Sequence, residues 1–477
     1  MTIDDTFNTP KDSLAVPKVD IPTMFRLGFF QMGLSMMSIL TLGVLNRVMI
    51  QEIAIPATIV ALVLAIPAFV SPTRILFGQM SDAKPLLGYH RTAYVWVGAG
   101  IFAIAAFLAV QVIWQLNAAS SGDSWVWTTT TIAWTGVLGL VFAVYGLAIC
   151  VSGTTFAALL VDISEEDNRS QVVGIVWSML MVGIIVGAIV SSSLLKQLDG
   201  NAPLETLQSA INRLFIIVPS VVFSLSIIAT LGVEKKYSRF SNRSTPGNRE
   251  DNISISKAWS ILTASPQTGI FFTFLLVMTI SLFMQDPILE PYAGEVFNMP
   301  LAESTQLNVF YGIGILIAYG ITGFFIVPRL GKRRTIKLGC ILVAFSALLL
   351  SFSGFSANPN FLKFGLVIFG LSTGFLTTAA VSLMLDLTVA EAAGTFIGAW
   401  GLAQSISRGI AVVIGGTVLD IGRNLFANNL VLAYGMVFCL EALGMIISLW
   451  FLKRVNVTEF QTNTKQALAS VLESDLD

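Results

Sequence analysis

The chain has 477 residues, of which 55% are hydrophobic and only 12% charged, with a mean hydropathy of +0.79 and a net charge of −1. A soluble domain of this size carries roughly twice that charge, and so balanced a total offers no global field to attract nucleic acid. Many apolar runs reach about twenty residues, enough to cross a lipid bilayer as a helix, so the class is an all-α polytopic membrane protein.

Residues 1–25, opening MTIDDTFNTPKDSLAVPKVD, are polar and read as a tail, with no apolar core leading into a cleavage site. Twelve spans follow, near 26–50, 56–79, 92–116, 130–160, 170–195 and 211–233, then 268–289, 306–328, 334–356, 361–385, 393–419 and 430–452. Residues 234–267 separate the two sets. Their first part, Glu234 to Lys257, is rich in Ser, Asn, Pro and Gly and predicts a flexible connector. The chain thus divides into a six-helix half (26–233), a linker, a second six-helix half (268–452) and a tail (453–477).

Lys and Arg set the expected orientation. With both termini cytoplasmic, 21 of the 27 fall on that side: three near the N-terminus, three in the first loop, Arg169, six in the connector, five from Arg329 to Lys337 and three at the C-terminus. Five (Arg47, Lys196, Arg213, Lys363, Arg423) fall on the other side, and Arg408 lies inside a span. The three cysteines, Cys150, Cys340 and Cys439, are far apart within apolar runs and suit packing better than a disulfide or zinc site. The single histidine, His90, is in a loop, so no metal site is expected in the bilayer.

That loop, Gly78 to Arg91, reads GQMSDAKPLLGYHR. Gly78 lets a neighbouring helix approach closely. Asp82 leaves the hydrocarbon within expected reach of Arg91 or of a facing helix N-terminus. The stretch reads as a latch on the cytoplasmic side, or more plainly as a loop whose Lys84 and Arg91 orient the protein. The halves also repeat at an offset of 224 residues. Gly146 aligns with Gly370, Thr154 with Thr378, Asp162 with Asp386, Asp167 with Glu391 and Gly174 with Gly398. The gating motif is therefore assigned to Gly78, Ser81, Asp82, Gly88 and Arg91, with the repeated acids Asp162 and Asp386.

Two six-span halves, a cytoplasmic connector and a Gly-acid-Gly-Arg loop after the second span resemble the major facilitator superfamily. The spacing departs from its usual loop signature, because Asp82 and Gly88 are six apart. LGVLNRVMIQEIAIPA (Leu42 to Ala57), SPTRILFGQMSD (Ser71 to Asp82) and DPILEPYAGEVF (Asp286 to Phe297) resemble the PucC-like branch. That resemblance implies a bacteriochlorophyll-delivery or light-harvesting-assembly factor in the thylakoid or inner (intracytoplasmic) membrane of a phototroph. It also implies chlorophyll or bacteriochlorophyll as cargo and light-harvesting or photosystem subunits as partners.

Charges within spans are costly and are functional candidates by default. Asn46, Arg47 and Glu52 end the first span, either as an interfacial anchor with a snorkelling arginine or as a polar rim at the outer mouth of a central cavity. Asp286 and Glu290 share one face if the seventh helix continues. Pro287 and Pro291 suggest a break there, which is where transporters place binding groups; the alternative is an exposed loop. Arg408 and Glu441, near mid-bilayer in consecutive antiparallel spans, are expected to pair, as a structural pin or as part of a site. Glycines crowd the fifth and eleventh spans (Gly174, Gly183, Gly187; Gly394, Gly398, Gly401, Gly409, Gly415, Gly416). These spans are expected each to face the opposite half, for movement or for static close packing.

No nucleotide loop, nucleophile–base set or metal cluster is present, so an enzyme is not expected. The function expected is pigment delivery or complex assembly on a transporter scaffold. The alternative is a proton-coupled transporter of a small amphipathic solute, with Asp286, Glu290 or Glu441 carrying the proton.

Overall fold

In hydrocarbon the backbone has only itself to satisfy its N–H and C=O groups, and over long apolar runs a helix does so within one segment. The computed structural model accordingly places the spans in helices; it describes residues 17–120, 125–164, 166–196, 203–238, 266–386, 393–427, 429–456 and 459. The first half contains α1 (Ile21–Glu52) and α2 (Ala57–Phe69, prolonged by Arg74–Ala83 past a tight turn at Ser71–Thr73). It continues with α3 (Thr92–Ala119), α4 (Thr129–Ile163), α5 (Glu166–Leu195) and α6 (Leu204–Thr230). The second half contains α7 (Pro266–Phe283), a short α8 (Leu289–Phe297), α9 (Leu301–Ile321) and α10 (Lys332–Ser356). It closes with α11 (Pro359–Asp386), α12 (Ala393–Leu425) and α13 (Leu430–Arg454). Eleven described helices are long and apolar enough to cross a membrane, and the twelfth pass is the shorter Ala57–Thr73. Its interruption has a local cause: Pro67 lacks an N–H inside the helix, and Pro72 opens the tight turn that follows.

The internal repeat is present in space. In the first half α4 packs on α2 and α3; at the corresponding places in the second, α11 packs on α9 and α10. The aligned glycines mark the same close approach in each. A Cβ on Gly146 would lie 2.6 Å from the Pro67 backbone on α2, and one on Gly370 would strike the Tyr311 carbonyl on α9. The halves meet chiefly through two pairs, α2 with α12 and α5 with α9, with the end of α1 touching α8 and α9 as well. The fifth and eleventh spans thus each face the opposite half, through the eighth and second spans respectively. Small residues permit this contact on α12, where Gly416 faces Ala57 and Ala61 and Gly409 faces Ala68 and Phe69, and on α9, where Gly312 faces Ile184 and Ile185. The fifth-span glycines do not serve it, since Gly183 and Gly187 pack on Met32, Ser35 and Met36 of α1 in the same half and Gly174 has no close neighbour.

Several ends shift by a few residues, with α6 opening at Leu204 and α12 running on to Leu425, and two boundaries differ in kind. The seventh span does not run helically to 289, because α7 ends at Phe283 and the chain turns through Met284–Ile288 before α8. The polar stretch after α6 is ordered at its start: Val233–Tyr237 forms a short helix, and the Tyr237 hydroxyl bonds Asp20 at 3.2 Å. Residues 239–265 of the connector, the first sixteen residues and most of the C-terminal tail lie outside the described residues.

Candidate functional site

The break after α7 organises the end of the molecule remote from the termini. Pro291 has no N–H to give the Pro287 carbonyl, as residue i+4 of a helix would. Asn46 on α1 supplies the missing donor instead, its Nδ2 bonding Pro287 O at 2.6 Å. Arg47, only 3% exposed, crosses to the same half: Nη2 donates to Met299 O at 2.7 Å, and Nη1 to Pro300 O at 3.2 Å and to Ser304 Oγ. Arg47 is therefore a buried strut between halves, and the snorkelling anchor is corrected; Glu52 remains exposed at the rim.

A second tie at this end joins α12 to α2. Asp420 receives the first N–H groups of α2, from Ala57 at 3.1 Å and Thr58 at 2.7 Å. These donors have no intrahelical partner, and the helix dipole favours an anion there. Gln306 on α9 adds a bond to Ser192 on α5 at 2.9 Å. Behind the seal, Arg423 holds Glu295 at 2.6 Å and the Tyr434 hydroxyl at 3.2 Å.

Asp286 and Glu290 do not share one face, because the helix between them is interrupted. Glu290, in the first turn of α8, is buried and accepts from Asn308 at 2.7 Å and Thr305 at 3.3 Å. Its carboxylate also occupies the space a side chain at Gly43 would take. Asp286, in the turn, accepts from Arg408 Nη2 at 2.8 Å and Nε at 3.3 Å, and the same guanidinium lies 4.5 Å over the Phe283 ring. Neither acid belongs to an exposed loop.

The expected Arg408–Glu441 pair is thereby corrected. Although α12 and α13 are in contact, the two side chains leave them on different faces. Arg408 points with Gly409 and Val412 into a cavity. Glu441 lies three residues before Gly444, which abuts Ser281, so it shares the face of α13 that packs on α7. Its two carboxyl oxygens are buried without a hydrogen-bond partner among the described residues. Different outcomes follow for the two sites. Arg408→Leu leaves Asp286 with only the Gln285 amide donor at 3.0 Å among the described residues. Because the Arg408 side chain is 44% exposed, the cost is expected to be about 1 kcal/mol, read as a lower melting temperature. Glu441→Met removes a desolvated polar group and is expected to raise, or leave unchanged, the melting temperature of the purified protein.

The cavity between the halves measures about 230 Å³ and takes its polar lining from Ser38 and Thr41 of α1, Ser71 of the turn in α2, Arg74 of the α2 extension, Tyr145 of α4, and Ser405 and Arg408 of α12. Arg74 was one of the three cations assigned to the first loop. The structure puts it on the cavity wall, and the signal for this was its place inside the second apolar span.

At the end bearing the termini, Arg91 is the hub of the loop stretch. Its Nε bonds Asp162 Oδ2 at the end of α4 at 2.9 Å, and its Nη1 bonds Ser81 Oγ. Gly88 has φ +79°, which closes the turn carrying the loop back. A Cβ at Gly78 would make only an ordinary 3.7 Å contact with Thr154, so the close helix approach expected there is not seen. The side chains of Asp82 and Asp386 lie outside the described residues. A residue absent from the expected motif completes the hub: Glu234, just past α6, accepts the backbone N–H groups of His90, Arg91 and Thr92 at 2.6–3.2 Å and so caps α3. Glu234→Gln removes the charge but not the acceptor and is expected to cost about 1 kcal/mol, read as a lower melting temperature.

This fold is that of the major facilitator-type transporters. A point variant of the nucleoside transporter NupG superposes with a TM-score of 0.64 over 91% of this chain and 99% of its own, at 14% identity. A bacterial homologue of the iron transporter ferroportin, inward-facing, gives 0.64 over 90% and 99%, at 11% identity. The sequence narrows the class: residues 44–460 match the model of the PUCC protein family, and the chain belongs to that family. Among its relatives, Protein PucC of Rhodobacter capsulatus is 27% identical over 453 residues, 93% of this chain and 94% of its own. The "Bacteriochlorophyll synthase 44.5 kDa chain" of the same species is 28% identical over 442 residues, 89% and 93%.

Proposed function

We propose that the protein is a pigment-delivery or assembly factor for (bacterio)chlorophyll–protein light-harvesting or photosystem complexes, built on a transporter scaffold and without enzymatic chemistry of its own. The observation that carries this reading is membership of the PucC family along nearly the whole chain, together with relatives named for PucC and for bacteriochlorophyll. Fold alone would not support it, since one scaffold serves many unrelated functions. Deletion of the gene in its host is expected to lower light-harvesting or photosystem complexes while pigment synthesis continues. Unchanged complexes would remove the reading.

The termini are cytoplasmic in this account, in the thylakoid or inner membrane of a phototroph, and the connector between the halves faces the same side. Protease added to that side is expected to cut within 239–265 and leave two six-span fragments, and cutting only from the opposite side would reverse the orientation.

A second reading keeps one specific support. The cavity of about 230 Å³ lies below the roughly 300–1,000 Å³ of sites that enclose a drug-sized ligand, so it suits a small amphipathic solute, or part of a pigment, better than a whole macrocycle. A transporter built this way would use the buried acids Asp286, Glu290 and Glu441 for proton coupling. It would move a solute in vesicles with no pigment–protein complex as partner.

A further inference from the structure

The cavity wall carries an electrostatic imbalance that the polar seal does not explain. Arg408 turns its Nε and Nη2 edge to Asp286, while its Nη1 has no partner among the described residues. Arg74, on the extension of α2, is exposed on the cavity wall with no side-chain partner among the described residues, and the Arg408 side chain is 44% exposed, so both cations face the open cavity. A cation inside a membrane protein is costly unless it meets water or an anion, and marks a ligand pathway by default.

The two cations are also in register. Gly409 packs on Ala68 and Phe69, so Arg408 is level with that turn of α2, and Arg74 lies five residues further along. That is an axial separation of roughly 8 Å, short enough for two arginine side chains to close on one small anion. They come from opposite halves, on α2 and α12, one of the helix pairs that join the halves. The hydroxyls of Ser38, Thr41, Tyr145 and Ser405 line the same space, and the rest of the wall is mostly apolar, including Leu64 and Phe142.

We propose that this cavity binds an amphipathic anion, a single carboxylate or phosphate head held between Arg74 and Arg408 with its apolar body along α1 and α4. Guanidinium groups recognise both heads through paired N–H donors. Asp286 leaves Nη1 free but offsets part of the Arg408 charge, so it weakens the attraction for an anion. A tetrapyrrole acid reaching in with a free side-chain carboxylate belongs to this class, as does a fatty acid; an esterified pigment does not. The site stands whether or not the protein handles pigment, and its test uses none.

The full chain in nanodiscs of zwitterionic lipid is titrated with a dansyl-labelled undecanoate, and the bound probe is displaced by decanoate, decyl phosphate or methyl decanoate. Displacement by the acids at concentrations at least about tenfold below the neutral ester is expected. The more effective acid identifies the head group. Arg74→Gln is expected to weaken probe binding about tenfold, and Arg74→Lys by less, because the charge remains. Asp286→Asn removes the offsetting charge and is expected to tighten binding severalfold. This opposite sign separates an anion site from general damage, and gel filtration confirms that each variant is folded. Equal displacement by the ester, failure of both acids to displace, or an Asp286→Asn variant that binds no tighter would overturn the proposal.

Discussion

Replacing Arg47 with leucine should unlock the end of the molecule remote from the termini. The guanidinium is buried and gives its N–H groups to Met299 O, Pro300 O and Ser304 Oγ across the boundary between halves. Bonds from a charged donor are worth about 1.5–3 kcal/mol each, and the acceptors left behind would be desolvated and unpaired. A shift of roughly 3 kcal/mol is enough to move a two-state equilibrium more than about a hundredfold. Thiol labelling gives the readout. In a background with Cys150, Cys340 and Cys439 replaced by serine, Ile55→Cys, 1% exposed beside the seal, is expected to resist a soluble maleimide. Adding Arg47→Leu is expected to make it reactive. Equal protection in both backgrounds would mean that Arg47 does not hold this end shut, and would leave Asp420 at the N-terminus of α2 as the principal tie.

Arg91→Leu is expected to be the most damaging single change at the other end. Arg91 and Asp162 have side chains 6% and 9% exposed and meet at 2.9 Å, so neither charge has bulk water as a substitute partner. Removing Arg91 is expected to cost about 3 kcal/mol, because Asp162 stays buried with one charged partner fewer. The double variant Arg91→Leu with Asp162→Leu removes both desolvated charges and is expected to recover much of the lost accumulation. Recovery of accumulation without complex assembly would assign the pair a working role. A double variant no better than the single would show that Ser81 and the capped start of α3 depend on Arg91 itself.

The features legible in sequence are those set by local rules. Span positions follow from apolar run length, and the repeat follows from the alignment in which one glycine pair marks equivalent close approaches, Gly146 of α4 against α2 and Gly370 of α11 against α9. The proline-flanked acids announced a break, and the break is there. Partner choice was not legible, because it depends on which helix faces are turned together. Consecutive spans with opposite charges at similar depth suggested Arg408 with Glu441. The broken seventh span brings Asp286 to Arg408 from 122 residues away, and no periodicity within α12 or α13 encodes that. Glu234 was hidden for a related reason. It reads as one acid in a polar connector, and only the return of the chain beneath α3 makes it a cap. Arg74 was assigned by its sign to a loop, although its position inside an apolar span already argued for a cavity.

The central claim is tested most directly by purifying the tagged full-length protein from its native membrane in mild detergent. The absorption spectrum of the purified material is then recorded, and the proteins that accompany it are identified. The account predicts chlorophyll or bacteriochlorophyll bands together with light-harvesting or photosystem subunits. A colourless protein without such subunits, which moves an amphipathic solute when reconstituted in vesicles, would contradict it.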